Sequence, residues 1–254
     1  MSRLLRASLD GLRQPSVVIP VDDPAVRLGW AVFETLAVQG GVPQRLCAHL
    51  VRLQRSAAAA LVPWPASSLE AEVHELIGDT SGWWRLRITL SRSGRRWMQA
   101  EPFDAARRFA PVHCASFASP PDAFVGGAVK HASRLPWCVA VARAGVDDLI
   151  LHHEGEILEA TTAAVVALRG NALWSAPDDG RVLPSVTLDA VIEAANTLGI
   201  DVERRSPPIA DPGPLYLVSC TRGFAPVLSL DGEPLAGSEG AGAALTARLK
   251  EVLG

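Results

Sequence analysis

Lys130 and Glu159 are the two residues whose types and spacing best suggest chemistry. Lys130 follows Gly126, Gly127, Ala128 and Val129, and no acidic residue comes after it until Asp147. A lysine among small apolar residues loses solvation of its ammonium form, which lowers its pKa and makes it a nucleophile toward an aldehyde or ketone. Glu159 stands in the strand-like run EILEATT, where a carboxylate needs a partner to be tolerated. A protonated ring nitrogen would be such a partner. By residue type alone, the commoner roles are a surface lysine and a salt-bridge glutamate.

The elements that must position these two are legible around them. Pro136 opens a helix over Trp137 to Ala144, closed by Gly145. DLILHH reads as a strand, Glu154-Gly155 as a tight turn, and EILEATT as the hairpin partner. Upstream, AVFETLAV is a strand turned back at Gln39-Gly40-Gly41. A helix follows, with Leu46, Leu50, Leu53 and Ala57 on its inner face. His49 and Arg52 are three residues apart on a neighbouring face, which reads as a solvated edge. Residues 66–79 suggest a short helix, and WWRLRITLSRSGRRW a strand entering a basic loop with Arg95 and Arg96. Strand material runs from Phe109 to Phe117. SPPDAFVGG (119–127) is the linker-like stretch, so the expected domains are 1–118 and 128–254. Beyond Glu159 come a hairpin turning at Gly170-Asn171 and a helix with Val191, Ala194, Ala195 and Leu198 on one face, ended by Gly199. The terminal helix places Leu245, Leu249 and Val252 together.

With 254 residues, 48% of them hydrophobic and 20% charged, the chain can bury a large core and is not disordered throughout. The net charge of −3 gives no reason to expect nucleic acid or an anionic membrane as partner. No apolar run approaches the ~20 residues that span a bilayer. The N-terminus lacks a secretory apolar region. Cys47, Cys114, Cys138 and Cys220 form no CxxC pair, so no zinc site or disulfide framework is signalled and a reducing, cytoplasmic setting is expected.

Four segments, in order, resemble the class IV (fold-type IV) pyridoxal-phosphate enzymes, which include branched-chain and D-amino-acid aminotransferases and aminodeoxychorismate lyase. Gly155, Ile157, Glu159, Ala160 and Thr161 stand in the family's G-x-[VI]-x-E-[GA]-[ST]-x pattern. G-W-A-V-F-E-T-L followed by H-L-x-R-L resembles its G-D-G-V-F-E-T…H-x-x-R-L. LPSVTLDAV resembles L-P-G-[IV]-T-R-x-x-[VI], and LVSCTRGFAPVLSLDG resembles its strand-turn-P-V ending. The resemblance implies a mixed α/β fold of two α/β domains with the cofactor in the interdomain cleft, and a homodimer. It implies that Lys130 forms the Schiff base with pyridoxal phosphate, that Glu159 holds the pyridine nitrogen, and that Arg52 binds the phosphate. The amides of Val186 and Thr187, at a helix N-terminus, and Thr221 (or Cys220) would complete the phosphate seat. Arg96 and Arg134 are the expected substrate contacts, and no metal is implied. The chain departs from the family pattern at Trp30, Ala31, Ala164, Ser185 and Leu188. The run of Lys130, His131, Arg134 and Leu135 resembles the lyase, which would release pyruvate and p-aminobenzoate in folate synthesis. Leu135 stands where branched-chain transaminases carry tyrosine. An amino-acid aminotransferase is the alternative, and a non-catalytic binding protein the third reading.

Overall fold

The computed structural model describes residues 5–120, 126–237 and 240–253. Its chain divides into two compact units, Met1–Ala105 with Val129–Arg134, and Ala106–Ala128 with Leu135–Gly254. This differs from a division at 119–127, part of which (121–125) lies outside the described residues. Residues 112–118 follow the second unit because they pair with its strands, and 129–134 follow the first because they pair there.

Unit 1 begins with a hairpin not foreseen from the sequence, β1 (Arg6–Leu9) and β2 (Leu12–Gln14), followed by helix α1 (Pro24–Leu28). Then come β3 (Ala31–Gln39), β4 (Val42–Pro43), α2 (Leu46–Ala59), α3 (Leu69–Ile77), β5 (Trp83–Ser91) and β6 (Arg96–Pro102). The strands form one sheet in the order β2-β1-β6-β5-β3-β4, with antiparallel neighbours. Strand β3 is apolar on both faces except near its centre, as a strand covered on both sides must be. It pairs with β5 along its whole length, from Ala31↔Ser91 to Gln39↔Trp83. Helices α2 and α3 pack Leu53, Ala57, Val73 and Ile77 against Val32, Leu36 and Ile88.

The other edge of β3 is covered by β4 only at Val38 and Gln39. Its first residues are paired instead by the returning segment 129–134. The Phe33 amide donates to the Lys130 carbonyl (3.0 Å), and the Ala132 amide to the Ala31 carbonyl (2.8 Å). Gly29 makes room for this return. Its φ is +65°, and a Cβ there would stand 2.5 Å from Ser133 Oγ. Within unit 2, Gly127 is equally constrained: its Cβ would fall 2.2 Å from the Arg181 carbonyl oxygen.

Unit 2 holds β7 (Val112–Ala118), α4 (Leu135–Ala144), β8 (Asp148–His153), β9 (Glu156–Ala160), β10 (Ala164–Arg169) and β11 (Ala172–Ser175). It continues with α5 (Val186–Thr197), β12 (Asp201–Arg204), β13 (Leu215–Ser219), β14 (Gly223–Leu230), β15 (Glu233–Pro234) and α6 (Ala241–Leu253). The sheet runs β12-β11-β10-β13-β14-β7-β8-β9, and β9 pairs back onto β10 through Ala164↔Glu159, so six strands close a ring. Side-chain alternation sorts the ring into two cores. Val166, Leu168, Tyr216, Val218 and Phe224 pack under α5 and α6, while Val165, Ala167, Leu217, Ala225 and Val227 join Ile150 and Ile157. Glu154 (φ +51°) and Gly155 (φ +83°) form the tight β8–β9 turn as expected. Leu198 is 40% exposed at the α5 C-cap rather than on its buried face. In α6 it is Leu253, four residues after Leu249, that is buried, and Val252 is exposed.

Candidate active site

Lys130 is half-buried in unit 1. Its backbone is held on both sides: the carbonyl by Phe33, and the amide by Ser56 Oγ of α2 (3.1 Å). Its Nζ stands 5.1 Å from the centre of the buried Phe33 ring. The small residues before it supply backbone room, but the amine itself meets an aromatic face and the charge of Glu34.

Glu34 of β3 is fully buried and is the centre of this cluster. Arg52 donates to it twice, Nε to Oε1 at 2.6 Å and Nη2 to Oε2 at 2.7 Å. His49 Nδ1 lies 2.9 Å from Oε2. Burial alone would raise the carboxyl's pKa. The Arg52 and His49 hydrogen bonds and the charges of Arg52 and Lys130 more than offset this, and hold it at about 2. Burial pushes His49 below its ordinary value despite Glu34, so its neutral ring donates from Nδ1. The expected solvated edge of α2 is therefore a buried polar seam. His49 is 3% exposed, and the Arg52 side chain 12%.

Arg87 of β5 was missed at the sequence level. Thr35 faces it across the β3–β5 ladder, which places Phe33 on the diagonal. Its guanidinium lies 3.6 Å from the Phe33 ring centre, so Arg87 and Lys130 share one ring. Burial first, then the charges of Arg134 and Arg85, bring its pKa down to about 10, still cationic at neutral pH. Among the described residues no carboxylate pairs with Arg87. The available signal was an arginine between Leu86 and Ile88 in the middle of a strand. Arg134, half-buried, ends the lysine segment and is close enough to act on Arg87. Arg96, in contrast, forks onto Glu72, Nε to Oε2 at 2.9 Å and Nη2 to Oε1 at 2.7 Å, and Arg95 pairs with Asp10 at 3.0 Å.

In unit 2, Glu159 is partly buried opposite Ala164, and its Oε2 accepts the Leu183 amide at 3.2 Å. Glu159, Leu183, Ser185 and Leu188 line one crevice, which brings the carboxylate to the segment that starts α5. Ser185 is that helix's N-cap, its Oγ accepting the Leu188 amide at 3.2 Å. Leu188 is 5% exposed in the core under α5. Both departures from the family pattern thus have structural uses. Val186 and Thr187 are buried at the first two helical positions, where amides have no partner within the helix. Thr221 lies half-buried in the β13–β14 turn.

By chemical type, the Lys130 amine and Arg52 guanidinium of unit 1, and the Glu159 carboxylate, Thr221 hydroxyl and α5 N-terminus of unit 2, suit pyridoxal phosphate. Among the described residues no group of three or more His, Cys, Asp or Glu is arranged to hold a metal. No helix among them is long and apolar enough to cross a membrane.

Comparison with known proteins agrees with the fold. No curated protein matches the chain. Among solved structures, the fold IV-transaminase CpuTA1 from Curtobacterium pusillum is similar, with 24% identity, a TM-score of 0.85 and 97% of this chain and 99% of that one covered. A hypothetical aminotransferase from Mycobacterium tuberculosis in its PLP-bound form gives 24%, 0.85, and 98% and 99% coverage. The 4-amino-4-deoxychorismate lyase from Pseudomonas aeruginosa gives 23%, 0.80, and 96% and 98%. The family model for amino-transferase class IV matches residues 31–230, from the first residue of β3 to the last of β14. The chain therefore belongs to amino-transferase class IV, a family of pyridoxal-phosphate-dependent enzymes.

Proposed function

We propose that this enzyme acts on an amine bearing two carboxylates, and that its reaction is that of an aminodeoxychorismate lyase. The observation that carries this reading is Arg87. A cation that is largely buried, has no carboxylate partner among the described residues and shares the Phe33 ring with Lys130 is suited to an anionic substrate group. Arg134 supplies a second guanidinium near the first. Aminodeoxychorismate carries two carboxylates, which this pair would match. The Lys130, His131, Arg134 run favours the same choice.

When bound, pyridoxal phosphate supplies an aldehyde for the substrate amine and a ring that withdraws electrons. Lys130 would hold it covalently. Arg52, the amides of Val186 and Thr187, and Thr221 would take its phosphate, and Glu159 would keep the ring nitrogen protonated. Glu34 grips Arg52 by one edge, Nε and Nη2, so the guanidinium is oriented before any phosphate arrives. Lys130 Nζ, released when the substrate amine takes its place, would move the proton at the reacting carbon. Arg87 and Arg134 would orient the substrate by its carboxylates. The protein would act as a cytoplasmic homodimer in folate synthesis.

The second reading is exchange of an amino group between amino and keto acids, whose carboxylates Arg87 would equally take. Incubation with aminodeoxychorismate, and separately with an amino-acid and keto-acid panel, decides between them. The lyase reading expects p-aminobenzoate and pyruvate in equal amounts. Keto-acid exchange without p-aminobenzoate would replace it.

A further inference from the structure

A buried carboxylate also lies in unit 2, at Asp148, the first residue of β8, which is 1% exposed. Its Oδ1 accepts from the Leu149 amide (2.9 Å), the Thr161 amide (3.1 Å) and the Thr161 hydroxyl. Its Oδ2 accepts from the Thr162 hydroxyl and from Arg222 Nη2 (3.4 Å). Besides the Leu149 amide of β8 itself, these donors come from two turns. Thr161 and Thr162 lie in the β9–β10 turn, immediately after Glu159 and Ala160, and the Ala160 amide closes that turn onto the Ala163 carbonyl (2.8 Å). Arg222 lies in the β13–β14 turn, next to Thr221, and also donates to the Asp147 carbonyl (3.1 Å). The Arg222 backbone is itself fixed, its amide donating to Ser219 Oγ (3.3 Å) and its carbonyl accepting the Phe109 amide (2.8 Å).

We infer that Asp148 is a positioning residue that braces the Glu159 strand end and the Thr221 turn as one piece, so that the ring-nitrogen carboxylate and the phosphate hydroxyl are presented at a set separation. The inference rests on the reading above, in which Glu159 and Thr221 hold the cofactor. The physical basis is the number of donors. A buried carboxylate needs its charge compensated by hydrogen bonds and a cation. Here three chain segments supply them, so none can shift without leaving a lone pair unmet. A hydroxyl or carboxylate displaced by about 1 Å loses most of a hydrogen bond, since these weaken steeply with distance and angle. Removing this charge should therefore loosen both cofactor contacts together.

The test measures pyridoxal-phosphate affinity and the pH dependence of the bound cofactor's visible absorption, alongside the melting temperature of the cofactor-free protein. Asp148→Asn, Thr221→Val, Glu159→Gln and the double variant Asp148→Asn/Thr221→Val are compared, with Thr162→Val as a milder form that removes one donor. The brace predicts at least a tenfold loss of affinity in Asp148→Asn and about a threefold loss in Thr162→Val. It also predicts an altered absorption profile in both, and a double variant little weaker than Asp148→Asn alone. Losses that multiply in the double variant would overturn the proposal, because Thr221 would then keep its full contact without Asp148. So would a lowered melting temperature with unchanged affinity and spectrum in both Asp148→Asn and Thr162→Val. If Asp148→Asn does not fold, Thr162→Val decides alone. Unchanged affinity in Thr221→Val and unchanged absorption in Glu159→Gln would overturn the cofactor reading itself. Changes there with inert Asp148→Asn and Thr162→Val would overturn the brace only.

Discussion

In unit 1 the buried carboxylate Glu34 is met by side chains that carry or can carry charge, Arg52 and His49, with Lys130 nearby. In unit 2 the buried carboxylate Asp148 is met mainly by amides and hydroxyls, with Arg222 at the long distance of 3.4 Å. The first arrangement concentrates cations, Lys130, Arg52, Arg87 and Arg134, in one small region. The second spends its charge on fixing turns, and offers neutral donors and Glu159. The two units thus differ: one surrounds its buried carboxylate with charged side chains, and the other holds its own mainly with neutral amides and hydroxyls.

The comparison is broken most forcefully at Arg52. Truncation to alanine leaves Glu34 buried without its main partner, and losing one member of a buried pair costs about 3–5 kcal/mol. Arg52→Ala should therefore lower the melting temperature sharply as well as weaken cofactor retention. The double variant Glu34→Gln/Arg52→Met should recover stability but not cofactor affinity. Recovery of both would make the seam purely structural.

Glu159→Gln tests the other side. It keeps size and hydrogen bonding and removes the charge. Turnover should fall by about 3 kcal/mol of barrier, the scale of a single preorganised electrostatic group, with little change in melting temperature. A large stability loss with turnover per folded molecule near that of the unaltered protein would make Glu159 a strand salt bridge.

A smaller effect separates Arg87 from Arg96. Removing a charged hydrogen-bond donor to substrate costs about 1.5–3 kcal/mol, so Arg87→Leu should raise KM tenfold or more. Arg96→Leu removes a forked, largely buried pair with Glu72, so it should lower stability but leave KM alone. Equal KM effects would erase the distinction.

Acid is the gentlest probe. His49 has a folded pKa below its ordinary 6.5, so the unfolded chain takes up its proton first, and stability is lost as pH falls below about 6.5. Glu34, held at about 2 against an ordinary 4.5, contributes stability above pH 4.5 that is lost as pH falls toward 2. Melting temperatures from pH 7.5 to 3 should fall in two stages, and His49→Gln should remove the first. An unchanged first stage in that variant would place it elsewhere.

Much of this was legible in the chain. The β8–β9 hairpin follows from Glu154-Gly155 between two strand patterns, and α2 from its leucine spacing. Lys130 and Glu159 stand as candidates on a motif. What sequence could not show was pairing at long range. Arg52 and His49 share a helix face, but only the register of β3 puts Glu34 against them. Arg87 sits in an alternating strand, as a surface arginine would, and only the pairing of β3 with β5 puts it against the Phe33 ring that Lys130 also meets. The reading of 128–254 as one domain missed that strand β3 has a bare edge, which residues 129–134 complete. Val252 and Leu198 lay one residue off the true faces or at a frayed end, where helix spacing alone does not decide.

The central claim, that Lys130 carries the cofactor, is tested most directly by its covalent mark. The chain has only two lysines, Lys130 and Lys250. Protein loaded with pyridoxal phosphate is reduced with borohydride, digested, and the modified peptide identified by mass spectrometry. The account predicts the modification on the peptide containing Lys130, with none after Lys130→Ala. Modification on Lys250 alone, or on neither lysine of a protein that retains cofactor colour, would contradict it.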